Sequence, residues 1–385
     1  MTPRIHPEIS PRILGNVASL YNDSNRVFME YVDNSIDSAE SFFDVNKYNK
    51  KIHIKVECEG STTRDKKITI TDNCFGMDES GLLRIVQDIG NSDKKEQPWT
   101  NGKFGYGVYS FMAICKDVEI ISKVESQPPR MVFLNKDNFE KDKVDEVEIF
   151  SPEICDNHLF EYKCGTKVIL KHFERDFLKD ISVSELKNEI ESHFEQLLSR
   201  ENIDISLSED NNSYQCAPFN YDKYEGDFYN DKVDELEMES RGATRNLHLD
   251  NPLEVYVKIT TGEDINRRPV IINKGRRIAE IKDLRSFKSK NKQTIWNHPH
   301  VTGYIDIHDF LDPTIARNDF RNNNKSKALF NYLEKIEDLV RDLISSINKK
   351  DEDRHYQNLE NELNKALSAL NRMDKKALKY RTEII

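Results

Sequence analysis

The chain has 385 residues, 32% of them charged and 37% hydrophobic, with a formal net charge of −11; it is long enough for two domains of ordinary size, each with its own core. The charge excludes a nucleic-acid binder working through bulk positive charge, no apolar run approaches the roughly 20 residues of a bilayer-spanning helix, and the opening MTPRIHPEISPRIL lacks the apolar stretch of a signal peptide. The six cysteines form no Cys-x-x-Cys pair and no zinc-spaced cluster with histidine, so we expect reduced thiols in a soluble, cytoplasmic protein with no membrane partner.

After a proline-containing arm, RILGNVASLYNDSN is expected to pack locally or to reach a second copy. From Phe28 to Phe43, FMEYVDNSIDSAESFF read as a helix at about 100° per residue gathers Phe28, Val32, Ile36, Ala39 and Phe43 on one side. Glu30, Asn34 and Asp37 then fall within an arc of about 60° on the other. An acid, an amide and an acid without lysine suggest a divalent cation and a water; an ordinary polar face is the alternative. KKIHIKVEC (50–58) and KKITITD alternate as strands joined through GSTTRD, which leaves Asp72 at a strand end. Leu82, Leu83, Ile85, Val86 and Ile89 give a helical pattern, followed by the breaker-rich GNSDKKEQPW, read as a mobile loop. NGKFGYG places Gly102, Gly105 and Gly107 ahead of a helix expected at 108–115. Strands are expected at 118–124, 130–135 and 164–173, then a helix over 182–200 capped by Ser184, and NIDISL closes the first domain.

Residues 209–250 are acidic and tyrosine-dotted without a regular period, so an insertion or flexible connection is expected there. Strands resume at 253–260, 268–278 and 301–307. From Arg267 to Lys292 ten Lys or Arg stand against Glu280 and Asp283, which reads as a solvated surface or as an anion-binding face. A helix follows at 326–347. Leu359, Leu363, Ala366, Leu370, Met373 and Ala377 then recur at three- and four-residue steps, as in a coiled-coil-like stem. The stem stops abruptly at Ile385, and a longer protein cut at that point is one expectation.

GKFGYG is neither a dinucleotide-fold nor a P-loop glycine pattern. Glycines this dense running into a helix let backbone amides approach phosphates, a common feature when met alone. In combination, Glu30-x-x-x-Asn34, Asp72-x-x-x-Gly76, Gly102-x-x-Gly105-x-Gly107 and GTKVILKHF from Gly165 resemble the ATP site of the GHKL superfamily: gyrase B, the ninety-kilodalton heat-shock chaperones, histidine kinases, MutL and the MORC proteins. The resemblance covers residues 25–175.

It implies that Glu30 is the general base toward water, that Asn34 is the Mg²⁺ ligand and that Asp72 accepts from the adenine amino group. Thr166 would lie near Asp72, with Gly76 and Met77 as the pocket floor. Gly105 and Gly107 would wrap the phosphates, with Lys94 or Lys95 of the loop meeting them. Asp37, Gly102, Lys103, Phe104, Tyr106 and Val108, inside or beside the matching motifs, are assigned to nucleotide binding with them. Two positions depart from the pattern: Cys74 stands where a glycine is expected, and Ser38 precedes Ala39. IDIHDFLDPTIARNDF (305–320) is similar to the catalytic loop of a transducer domain, which makes Arg317 the first candidate for a basic residue at the γ-phosphate and Lys274 the second.

The expected fold is α+β: a GHKL (Bergerat) two-layer sandwich with a mostly antiparallel sheet over 1–208, the acidic linker at 209–250, an α/β transducer at 251–350 and the stem at 351–385. The expected activity is slow, Mg²⁺-dependent ATP hydrolysis with ATP-gated homodimerisation. Three uses compete: MORC-like DNA handling or defence, with duplex DNA on the Arg267–Lys292 surface, which the sequence favours; chaperone-like action on protein clients; and a scaffold whose stem holds an effector.

Overall fold

The computed structural model describes residues 24–46, 51–62, 64–87, 107–140, 149–150, 162–178, 182–210, 212–240, 243–262, 264–314 and 318–382. The chain divides into two compact units, the first of Met1–Phe219 with Asn273–Ile278 and Pro313–Asn318, the second of the remainder.

The first unit begins with α1 (Ser24–Asn46), β1 (Ile52–Glu59), β2 (Lys67–Asp72) and α2 (Glu79–Gln87). A 3₁₀ helix (Gly107–Ala113) then leads into β3 (Cys115–Lys123), β4 (Arg130–Asn135), β5 (Ile149–Phe150) and β6 (Gly165–Phe173). After α3 (Val183–His193) come β7 (Ile203–Glu209) and β8 (Asn212–Gln215). These strands form one sheet in the order β5-β4-β3-β6-β2-β1-β7-β8, antiparallel throughout except for the parallel pair β1 and β7. The alternation read in β1 is its burial pattern: Ile52, Ile54, Val56 and Cys58 enter the core with Ile68 and Ile70 of β2 and with Phe28, Val32, Ile36 and Ala39 of α1, whereas β2 is buried on both faces, Thr69 and Thr71 included. The polar side of α1 is buried as well, Glu30 being 6% and Asp37 1% exposed. This helix therefore carries charge inside the unit rather than toward solvent, which demands partners for each charge.

Three local expectations change. Residues 107–113 form a 3₁₀ helix, with Cys115 already in β3; seven residues between a glycine run and a strand are too few to sustain an isolated α-helix. The 182–200 helix stops at His193 and breaks at Phe194 before a short turn, Glu195–Leu198. Its cap is Ser182 rather than Ser184: Ser182 Oγ accepts from Glu185 N at 3.1 Å, the Ser-x-x-Glu spacing of a capping box.

The second unit holds a five-stranded sheet in the order β12-β11-β13-β10-β9, from β9 (Gly226–Ser240), β10 (Ala243–Thr260), β11 (Val270–Asn273), β12 (Arg276–Glu280) and β13 (Val301–Asp306). Residues 226–250, expected as flexible connection, are thus mostly strand. Their ladder slips between His248 and Leu253, so β9 buries Val233 and Leu236 three residues apart, and such an irregularity erases the period of two that marks a strand. The final helix and the stem are one helix, α4 (Asn324–Thr382). Its first half buries Leu329, Leu333, Ile336 and Val340, whereas Tyr356, Leu359 and Leu363 are exposed.

Candidate active site

α1 presents its polar side chains as two parallel rows. Residues four apart stack on a helix surface, so Glu30 and Asn34 form one row and Asp33 and Asp37 the other. Gly107 opens the 3₁₀ helix beside the first row. A Cβ built on it would stand 3.0 Å from Glu30 Oε2 and 3.9 Å from Asn34 Nδ2. A Cβ there would press on the far end of the Glu30 side chain, so glycine lets the backbone lie close beside the carboxylate and the amide. Tyr31, next to the first row, ties the two elements together by donating from its hydroxyl to Val108 O at 2.7 Å.

One residue beyond Asn34, Ser35 Oγ donates to Asp72 Oδ2 at 3.0 Å, linking α1 to a second cluster where β2 ends and β6 begins. Asp72 Oδ1 accepts from Cys74 N at 3.0 Å and from Thr166 N at 3.3 Å. Burial raises the Asp72 pKa above the usual carboxylate value while these donors pull it back. Ser122 joins the group: its Oγ accepts from Met77 N at 2.7 Å, lies 2.9 Å from Thr166 Oγ1 and donates to Gly165 O at 3.2 Å. The backbone crowds here. Gly76 has φ +70°, and a Cβ on it would stand 2.1 Å from Lys123 O.

The departure at Cys74 has a structural answer. Cys74 is not among the residues with positive φ, so the turn asks nothing that a side chain cannot give. Its thiol is fully buried and donates to Ser35 O at 3.6 Å; burial raises its pKa and keeps it protonated.

Asp37, which the sequence places with Glu30 and Asn34, is engaged by Arg276 Nη2 at 2.7 Å. Arg276 also binds Asp33 through Nε at 2.5 Å. Lys274 lies in the turn before Arg276 with φ +52°, and its carbonyl accepts from Arg276 Nη1 at 3.0 Å. Lys94, Lys95, Gly102, Lys103, Phe104, Gly105, Tyr106 and Arg317 lie outside the described residues. Among the described residues no group of three or more His, Cys, Asp or Glu forms a metal cluster, and no helix is long and apolar enough to cross a membrane.

Sequence reasoning missed Ser35, Ser122, Asp33 and Arg276. Asp33 and Asp37, a turn apart on a helix with an apolar opposite side, were the available sign that a buried cation was needed. Lys274–Gly275 between Ile-Ile-Asn and Arg-Arg-Ile was the sign of a tight hairpin where a single strand is expected.

Residues 21–166 match the family model described as histidine kinase-, DNA gyrase B-, and HSP90-like ATPase. The chain is also similar to the chaperone protein HtpG of Sulfurovum sp., 26% identical over 46% of this chain and 29% of that protein. It resembles HtpG of Ruthia magnifica, 31% identical over 30% of this chain and 21% of that protein, and HtpG of Campylobacter jejuni subsp. doylei, 28% identical over 28% and 20%. The matched stretch thus spans less than a third of the length of these relatives.

Proposed function

We propose that residues 21–166, a GHKL ATPase domain, bind ATP with Mg²⁺ and hydrolyse it slowly in a cycle that gates association of two copies. The observation that carries the reading is the clearance at Gly107, a glycine standing 3.0 Å, measured from its would-be Cβ, from a buried carboxylate. A phosphate chain lying along such a backbone meets amide donors on one side and Glu30 on the other. Glu30 is the general base that orients and deprotonates the attacking water, and Asn34 supplies a neutral oxygen to Mg²⁺. Bound there with the nucleotide, Mg²⁺ would neutralise charge at the phosphoryl group. Asp72, fixed by Ser35, Cys74 and Thr166, takes the adenine amino group.

Calorimetry on the full chain should show Mg²⁺-dependent heat with ATP. Glu30→Ala should bind ATP normally and turn over at least ~10²-fold more slowly; equal loss of binding and turnover counts against the base assignment. Mass measured with a non-hydrolysable ATP analogue should double.

For the use of the cycle, the relatives bear the name of chaperones, which supports action on protein clients. DNA handling is the second reading, since Arg285, Lys288 and Lys290 remain exposed in the basic stretch. Stimulation of turnover by an unfolded protein, and not by duplex DNA, separates the two.

A further inference from the structure

We propose that Arg276 is a positioning residue for the nucleotide site, holding α1 in the rotation that aims Glu30 and Asn34; this rests on the ATPase reading. Three observations carry it.

The first is the grip itself. Arg276 is 1% exposed and so is Asp37, with Asp33 at 4%. One guanidinium reaches both carboxylates, Nε to Asp33 at 2.5 Å and Nη2 to Asp37 at 2.7 Å. The two aspartates stand one helical turn apart, so without the cation their charges repel along α1 in a medium that screens poorly. A planar fork spans that turn, and an ammonium point charge does not.

The second is how Arg276 is delivered. Asn273–Ile278 groups with the first unit, although β11 and β12 on either side pair within the five-stranded sheet. The two strands meet through a two-residue turn in which Lys274 and Gly275 both have positive φ, +52° and +74°, the backbone of a tight primed hairpin turn. The turn is seated at two further points. Arg277 bonds Ser192 Oγ at 2.8 Å and pairs with Glu189 on α3, and Gly275 closes on Leu197, where a Cβ would stand 3.0 Å from the side chain. A turn held this way is a rigid mount for the guanidinium between its neighbours.

The third is the tolerance of the site. Glu30 lies three residues before Asp33, and Asn34 three before Asp37, so gripping one row fixes the other. The carboxylate of a helix side chain rides about 5–6 Å from the axis. A rotation of about 10° therefore carries it about 1 Å, a misplacement on the scale that costs on the order of 10²-fold in rate. A Cβ on Gly107 would stand 3.0 Å from Glu30 Oε2, so a shift of that size changes the contact between the carboxylate and this backbone.

Arg276 touches no substrate in this scheme, and the test is built to tell positioning from simple support of the fold. Arg276→Lys keeps the charge and loses the fork; Arg276→Met loses both. With the full chain, the Lys variant should melt near the wild type and bind a non-hydrolysable ATP analogue at unit stoichiometry within threefold of its affinity, while kcat falls at least tenfold. Amides of residues 28–37 should exchange at least tenfold faster. Wild-type kcat in the Lys variant, or a fall in binding stoichiometry parallel to the fall in turnover, overturns the proposal. The Met variant should show the same split more deeply where it folds; where it does not, the Lys variant decides alone. If the wild type neither binds nor hydrolyses ATP, the ATPase reading fails, and unchanged exchange in the Lys variant then overturns the grip as well.

Discussion

His193 shows how far the interior of the first unit sets the chemistry of single residues. It is fully buried beside three charges from two elements, α1 and β12: Arg26 Nη1 lies 3.3 Å from its Nδ1, Asp33 Oδ2 lies 3.9 Å from its Nε2, and Arg277 acts on it from farther off. Burial pushes its pKa from 6.5 down to about 3, with Asp33 opposing and the two arginines assisting. Unfolded, the imidazole takes a proton near pH 6.5; folded, it refuses one until about 3. Its contribution to stability is therefore complete above 6.5 and is lost as pH falls through the interval below. Asp72 tilts the other way, because its raised pKa lets the folded chain keep a proton that the unfolded chain releases near 3.8. Melting temperature measured between pH 6.5 and 4 should fall less in His193→Gln than in the wild type; an identical slope would place the acid sensitivity elsewhere. Neither residue's environment was legible beforehand. Glu30, Asn34 and Asp72 stand out because their motifs are local, whereas His193 and Arg276 acquire meaning only from partners as much as 243 residues away.

At the scale of elements, the site depends on how closely β6 approaches β2. Gly165 has φ +147°, and a Cβ on it would stand 2.0 Å from Asp72 O, so Gly165→Ala must either push the strands apart or strain the backbone. The expected cost is about 2 kcal/mol or more, read as a lower melting temperature, with ATP affinity at least tenfold weaker because Asp72 and Thr166 separate. Gly262→Ala is the control: its φ is +86° with nothing within 4 Å, so it should lose a little stability and no affinity. Equal losses of affinity would mean that the strand approach does not shape the pocket. β1, β2 and the inward side of α1 were readable because one clean period governs each of them. The long strands β9 and β10 were not, since acidic outward positions and a slipped ladder hide the alternation. The hairpin carrying Arg276 was read as a single strand because the lysine in its turn gives no turn signal by itself.

For the whole molecule, a formal charge of −11 makes any polyanion partner dependent on a local basic face, and the structure engages half of the candidate stretch in internal contacts. Arg276 is buried between Asp33 and Asp37, Arg277 pairs with Glu189, and Lys282 lies 3.0 Å from Glu280. Arg268 donates to Ile265 O and Pro299 O, and Lys292 to Leu284 O and Phe287 O. Arg285, Lys288 and Lys290 stay exposed. Three phosphate contacts release about three counterions, a salt slope of about −3 where proteins with six to ten contacts are far steeper. Duplex DNA at about 0.15 M salt, where charges are screened beyond about 8 Å, should thus change the ATPase rate less than twofold. The measurement is turnover with and without duplex across a salt series, in the wild type and in Lys288→Glu with Lys290→Glu. A fivefold stimulation with a slope of −6 or steeper, abolished by the two substitutions, would restore DNA as the partner and imply that basic residues outside this stretch complete the face.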